Sequence, residues 1–305
     1  TVMRLGVYQG TYNIEDVTVK DLSRLMIGRD VVRSIEKKPQ NLGDVVLKVE
    51  DLKVINDEGK IVVNDVNFAV RQGQILGIAG VEGNGQRELI DCITGLETTF
   101  VGKVSLHGLE DHKEFNVKNL RLHGMNHIPE DRLVYGVAAE ASIMENIISN
   151  RYDQESLNKG IFQDRKAITA LSNDLIKQYQ IKTDSKDTLV RMLSGGNMQK
   201  VVAAREMSNE MKILVADQPT RGIDVGTAGF IHDKIVELRD KGVAVLLVSA
   251  DINEVMDVSD SLIVMYEGKI AAYFESIKDL SQETLGEYML GIKKMSDEEI
   301  RGATV

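Results

Sequence analysis

Three short stretches hold residue types suited to handling phosphate. The first is Leu193-Ser194-Gly195-Gly196-Asn197-Met198-Gln199-Lys200. Two adjacent glycines let the backbone approach a ligand closely, Ser194 adds a hydroxyl, and the Val-, Ala- and Met-rich run from Val201 to Met207 reads as a buried helix. A turn at a helix N-terminus presents unpaired N–H groups and the positive end of the helix dipole, which suits a phosphate. The same residues also make an ordinary Ser-capped helix start, and by themselves they favour it.

The second stretch is Gly80-Val81-Glu82-Gly83-Asn84-Gly85-Gln86-Arg87, between the short apolar strand Ile75 to Ala79 and a helix ending near Gly95. Its three glycines have the spacing of a phosphate-cradling P-loop. Where the P-loop lysine would neutralise phosphate charge stands Gln86, and where a hydroxyl would bind Mg²⁺ stands Arg87. A dinucleotide loop fits poorly, because Gly83-x-Gly85 is followed by Glu88 and not a third glycine. A plain strand-to-helix turn stays open. In the third stretch, Ile213 to Asp217, an apolar strand ends in an acid, where a P-loop NTPase holds its Mg²⁺. Gln218 follows; an amide orients a water but does not accept its proton.

Other segments must position these. The alternation from Val45 to Val49 and from Ile61 to Val70 predicts antiparallel strands joined by the Asp57-Glu58-Gly59 turn, and Gly102 to Gly108 a second hairpin. Met125 to Arg132 reads as a strand running into a polar loop, and Ala139 to Gln180 as mostly amphipathic helix, clearest at Ile143–Ile148 and Leu171–Ile181. A helix over 226–240 and a strand over Val243 to Val248 complete a βαβ unit. Lys293 to Val305 mixes charges without an apolar face and is expected to fray.

The opening of the chain resembles its end. Val2-Met3-Arg4-Leu5-Gly6-Val7-Tyr8 matches Val264-Met265-Tyr266-Glu267-Gly268-Lys269-Ile270, and each leads through a polar stretch into a helix, ending at Leu25-Met26-Ile27-Gly28 and Tyr288-Met289-Leu290-Gly291. A long-period repeat showing only the last piece of its first copy implies a truncated tandem protein. Residues 29–43, with Glu36-Lys37-Lys38 and Pro39, read as a linker.

The 305 residues predict about two domains, and 43% hydrophobic with 28% charged residues fits a chain able to bury a core. A net charge of −10 argues against broad nucleic-acid binding. Cys92 is the only cysteine, so no Cys-pair metal site exists and a reducing compartment fits. The longest apolar runs, Val243–Val248 and Ile75–Val81, fall short of the ~20 residues a spanning helix needs. His123 and His127 stand four apart, but Pro129 and the strand-like pattern break a shared helical face, against a metal pair.

In this order, P-loop-like turn, helical insert, Leu-Ser-Gly-Gly, strand-Asp, Gly-Ile-Asp, strand-Ser, the chain resembles the nucleotide-binding domain of an ABC transporter. It is most similar to the second of two fused domains in the ATP-binding subunit of bacterial nucleoside and simple-sugar importers. Gly80 to Gln86, Ile128-Pro129-Glu130-Asp131-Arg132 and Asp217 to Gly226 look most like the nucleoside branch. The resemblance implies an α/β P-loop NTPase fold of the ABC type: a mixed core sheet flanked by helices, an antiparallel β subdomain, and a helical subdomain at about 137–190. Residues 44–291 would form the second domain, 1–28 the tail of the first, and 292–305 a C-terminal tail.

In the family two domains pair head to tail, each ATP held between one domain's P-loop and the other's Ser-Gly-Gly motif. The resemblance carries nucleotide-binding roles to Gly80, Gly83, Asn84, Gly85, Gln86, Arg87, Glu130 and Asp217, the last as Mg²⁺-side carboxylate. Glu130 stands where the family's glutamine senses nucleotide. Ser194, Gly195, Gly196, Asn197, Gln199 and Asp224 would serve the partner's ATP. The catalytic Glu is Gln218, the switch His is Ala250, and no aromatic lies near Val54 to stack on adenine. The departures lie on the domain's own site, while what it lends its partner is intact, so one hydrolytic site is expected in the pair. Implied cofactors are ATP and Mg²⁺. Implied partners are the first nucleotide-binding domain, membrane permease subunits and, indirectly, an extracytoplasmic substrate-binding lipoprotein, with the chain cytoplasmic and peripheral on the inner membrane face. A cytosolic ABC ATPase without a transporter and a silent ABC-fold scaffold are the alternatives.

Overall fold

The computed structural model describes residues 1–4, 6–27, 35–107, 109 and 115–304. In chain order a short hairpin, β1 (Val2–Arg4) and β2 (Val7–Gly10), leads to α1 (Val19–Ile27). Then come β3 (Val45–Ile55), β4 (Ile61–Arg71), β5 (Ile75–Ala79), α2 (Gln86–Ile93), β6 (Val101–Leu106), α3 (Val117–Leu122) and β7 (Met125–Ile128). The middle holds α4 (Ile143–Ile148), a hairpin of β8 (Asn158–Lys159) and β9 (Phe162–Gln163), and α5 (Arg165–Gln178). The last part runs α6 (Gly195–Met207), β10 (Ile213–Asp217), α7 (Val225–Asp240), β11 (Ala244–Ser249), α8 (Ile252–Val258), β12 (Ser261–Tyr266), β13 (Lys269–Phe274), α9 (Gln282–Met289) and α10 (Asp297–Ile300).

The main sheet has the order β13-β12-β5-β11-β10-β7, parallel except for the antiparallel edge strand β13. Its strands are buried on both faces because successive side chains point opposite ways. Ile213, Val215 and Leu246 face one hydrophobic cluster, shared with the antiparallel sheet β4-β3-β6 and with Leu89, Ile90 and Ile93 of α2. Leu214, Ala216, Val245 and Leu247 face the other, filled from α4, α6 and α7. The parallel strands end together, so the loops after β5, β7, β10 and β11 meet along one edge, where open α/β sheets bind ligands.

Several expectations need correction. The segment around 139–180 is mostly helical, as α4 (Ile143–Ile148) and α5 (Arg165–Gln178), but a two-stranded hairpin lies between them and the second helix ends at Gln178, before Ile181. Between Gly102 and Gly108 one strand, β6, pairs with β3, and the only second-strand pairing among the described residues is a bridge from Leu106 to Leu109. After β7 residues 129–131 form the expected polar loop, which runs on into a π-helical turn over Arg132–Gly136. His123 caps α3 and His127 lies on β7, so the two share no helical face. Of the expected linker, residues 29–34 lie outside the described residues; 35–43 form neither helix nor strand, yet Ile35 packs on the second cluster and Lys37 bonds the Ser259 carbonyl.

The C-terminal stretch does not fray over its described part. Ser296 and Glu299 form a reciprocal capping box, Ala303 is buried in the first cluster, and Met295 donates its N–H to Ala271 O at 2.9 Å. The charge pattern concealed this because one cap and one small apolar residue do the anchoring. Ser296→Ala should therefore cost about 1 kcal/mol of stability in urea unfolding, whereas a frayed end would cost nothing.

Candidate functional site

The first loop at the sheet edge follows β5. Gly85 stands at the N-cap of α2 with φ +93, a left-handed conformation, and a Cβ there would lie 2.4 Å from Val62 O. Only glycine fits, which explains the residue. Asn84 holds the turn in place: its Oδ1 accepts from Glu267 N at 2.7 Å, its Nδ2 donates to Val81 O at 3.0 Å, and its carbonyl accepts from Gly268 N. That side chain is committed to holding the loop's shape.

Each α-helix from α3 to α10 has a side-chain N-cap; α2 has none. Its first-turn N–H groups are thus left for an anion, at the positive end of the helix dipole. Gln86 folds back over the loop, Nε2 donating to Val81 O at 3.2 Å, so it brings an amide and no charge to the cradle. A Cβ on Gly80 would collide with that amide at 2.1 Å. Arg87 is exposed and lies 3.9 Å from Asp91, one turn on.

Asp217 ends β10 at 7% exposure, and among the described residues nothing donates a hydrogen bond or ion pair to its carboxylate. Burial, reinforced by Glu130 and Asp91 and opposed by Arg87 and Arg221, pushes this carboxyl up to about 7. Gln218 adopts φ +47, its N–H bonding Val248 O and its Oε1 accepting from Ala250 N at 3.2 Å. The residues at the expected glutamate and histidine positions thus hold each other, and neither is a base.

Asp217, Glu130, Asp91 and Arg87 line one cavity of about 560 Å³ with His127 and Arg221. Glu130, expected to contact nucleotide, is ion-paired to Arg221 across the cavity. Burial pushes the His127 imidazole down to about 4, and its Nε2 is buried without a partner. Asp91, Arg132, Arg221 and His127 had no site role assigned from the sequence. Arg132 and Arg221 sit inside the quoted motifs, but their partners lie far along the chain.

The Ser-Gly-Gly turn lies at the N-terminus of α6, beside the turn after β10, where a Cβ on Gly195 would come 3.5 Å from Gly222 O. Ser194 is exposed and caps α6, accepting from Asn197 Nδ2 at 3.0 Å and Asn197 N at 3.4 Å. Cap and phosphate donor are compatible readings of one hydroxyl. Gly196 is buried where a Cβ would meet Thr227 Oγ1 at 3.0 Å and Asp224 Oδ2 at 3.1 Å, so this glycine lets α6 pack on α7. Asp224 caps α7; against burial, the bonds from Thr227 hold its carboxyl below the usual range. Asn197 Oδ1 accepts from Lys182 N. Gln199 is 3% exposed and donates to Pro219 O at 2.7 Å, tying α6 to the loop after β10, which corrects the expectation that it faces a partner's nucleotide.

For a nucleotide and Mg²⁺ the fit is divided. The uncapped α2 amides suit phosphate, and a buried carboxyl without a donor suits a cation. Gln86 and Arg87 supply neither the lysine charge nor the hydroxyl ligand, and no cluster of three His, Cys, Asp or Glu among the described residues suits a metal by itself.

A family model described as ABC transporter matches residues 63–221. The chain is 37% identical over 291 residues to a guanosine import ATP-binding protein of Bacillus subtilis, covering 95% of this chain and 57% of that one. It is 35% identical over 293 residues to a glucose import ATP-binding protein of Haloferax volcanii, covering 95% and 53%. The chain thus spans about half the length of the curated relatives it matches. Its fold is similar to a nucleotide-free ATP-binding cassette from an ABC transporter, TM-score 0.66 at 21% identity, covering 84% of this chain and 98% of that one. With the P-loop geometry, the terminal Asp of β10 and the capped Ser-Gly-Gly turn along one sheet edge, these matches show that the chain belongs to the ABC transporter family.

Proposed function

We propose that this chain is an ATP-binding part of an importer for nucleosides or simple sugars, that it lends Ser194, Gly195 and Gly196 to an ATP site completed by another nucleotide-binding domain, and that its own site binds nucleotide weakly without hydrolysing it. The observation that carries the reading is the contrast between two helix starts. The α6 turn is exposed and complete, whereas α2 keeps an uncapped amide cradle from which lysine, hydroxyl and general base are gone. Removing one electrostatic or acid–base group typically costs ~10²–10³ in rate, so three such losses silence a site.

The nucleotide would supply the phosphoryl group and its Mg²⁺ the charge neutralisation. The chain's own contribution is binding and orientation: α2 amides toward phosphate, Asp217 toward the cation, and Ser194 with the Gly195 and Gly196 amides toward the partner's nucleotide. Permease subunits and, indirectly, a substrate-binding lipoprotein are the partners this reading implies, with the chain peripheral on the inner membrane face. No helix among the described residues is long and apolar enough to cross a membrane. The opening segment supports reading residues 1–28 as the tail of a first nucleotide-binding domain, since β1-β2-α1 repeats the order of β12-β13-α9.

ATP should raise the thermal unfolding midpoint of the chain, because a ligand that binds only the native state stabilises it. An unchanged midpoint at millimolar ATP would favour the scaffold reading.

A further inference from the structure

We propose that Arg221 is a movable cation for this chain's phosphate cradle, and that Arg132 carries its movement to the Ser194–Gly196 turn. The inference rests on the nucleotide-binding reading above and adds a role for the silent site: its occupancy sets the geometry of the turn lent to the partner.

Gln86 leaves the cradle without its usual charge, so any cation for the phosphates must come from elsewhere. Arg87 projects from α2 with its side chain 67% exposed. Arg221 is differently placed. It sits in the tight turn after β10, Arg221 N donating to Gln218 O at 3.0 Å, and its guanidinium bridges two loops. Nη1 pairs with Glu130, and Nη2 lies 3.8 Å from Glu82 Oε1 in the P-loop itself. Glu82, Glu130 and Arg221 all line the cavity that holds Asp217.

Both pairs are partly exposed, and such pairs are weak and exchangeable. The acids Glu82, Asp91, Glu130, Asp131 and Asp217 outnumber Arg87, Arg132 and Arg221 on the cavity wall. A polyphosphate approaching it meets repulsion unless a cation changes sides. Arg221 is placed to do so from its bridge between Glu130 and the P-loop's Glu82, since guanidinium binds carboxylate and phosphate with the same forked geometry.

The turn that carries Arg221 is joined to the signature segment twice. Arg132 Nη1 donates to Arg221 O at 2.7 Å and Nη2 to Gly222 O at 3.4 Å, while a Cβ on Gly195 would lie 3.2 Å from Arg132 Nη2. Arg132 therefore fills the space between the Arg221 turn and Gly195. Gln199 supplies the second tie through Pro219 O. Releasing Arg221 from Glu130 removes a side-chain tether of the turn whose carbonyls hold the Arg132 guanidinium, and Gly195 lies against that guanidinium. Arg132 is a positioning residue in this scheme, its guanidinium committed to the Arg221 and Gly222 carbonyls.

The test uses the chain itself, with ATP as the probe. Affinity is measured by isothermal titration, and protection of amides 194–198 by hydrogen exchange with and without saturating ATP. Arg221→Gln should weaken ATP binding by about tenfold, the loss of one charged hydrogen-bonding group, and Arg221→Lys by less. Glu130→Gln should tighten binding by removing the competing carboxylate. ATP should alter exchange at 194–198 in the wild type and not in Arg132→Gln, whose ATP affinity stays within about twofold; Arg132→Lys, with one donor retained, should respond partially. Unfolding midpoints of each variant exclude collapse. Equal affinity in wild type and Arg221→Gln, or an ATP response at 194–198 that survives Arg132→Gln, would overturn the proposal while leaving nucleotide binding intact. No ATP binding by the wild type would instead overturn the reading on which it rests, and the proposal with it.

Discussion

Ser194→Arg is expected to abolish ATP hydrolysis and uptake by the complete importer while this chain still folds. Ser194 is exposed at the tip of the α6 turn, so an arginine there meets solvent and not a packed core. The loss inside the chain is one helix cap, about 1 kcal/mol. The loss at the shared site is larger. The arginine removes the hydroxyl donor and fills the space through which another domain's phosphate would reach the Gly195 and Gly196 amides. Removal of one such preorganised donor costs ~10²–10³ in turnover, and steric exclusion adds to it. ATPase rate and substrate uptake of the assembled transporter give the readout, with circular dichroism of the chain as the folding control. Activity near wild type would remove the cross-domain role of the turn.

Asp217→Asn should change how stability depends on pH. Burial, with the adjoining Glu130 and Asp91 and against Arg87 and Arg221, pushes the native carboxyl up from 3.8 to about 7. Between about pH 4 and 7 the folded state therefore holds a proton that the unfolded chain has released. Stability falls as pH rises through that window and is flat above it. The asparagine variant lacks this titration, so the two proteins should be similar near pH 4 and differ near pH 8. At ~1.4 kcal/mol per pH unit the variant should be more stable at pH 8 by about 4 kcal/mol. Urea unfolding in metal-free buffer at the two pH values checks it; parallel pH profiles would refute the account of Asp217 as a buried acid without a counter-ion.

The buried frame was legible because its signals are local. Ile75–Ala79, Ile213–Asp217 and Ala244–Ser249 are short apolar runs bounded by polar turns, and each is a parallel strand buried along its length. Gly85 was legible as part of a phosphate loop, and its left-handed backbone gives the reason. What escaped depends on pairs distant in sequence. Nothing near Gln199 marks it as a tie to Pro219, because a buried amide and a ligand-facing amide look alike in one dimension. Glu130 and Arg221 stand 91 residues apart, and only the convergence of the loops after β7 and β10 brings them together. Asn84 is similar: its partner, Glu267, belongs to the β12–β13 turn. The C-terminal segment was misread because Ser296, Glu299 and Ala303 anchor it without an apolar stripe.

The division of labour between the two helix starts, one for binding and one for donation, is tested most directly by ATP turnover of the purified chain. Incubated with ATP and Mg²⁺, it should bind nucleotide yet release phosphate no faster than a protein-free blank. Release well above the blank, lost in Gln218→Ala, would show a working site where this account finds a silent one.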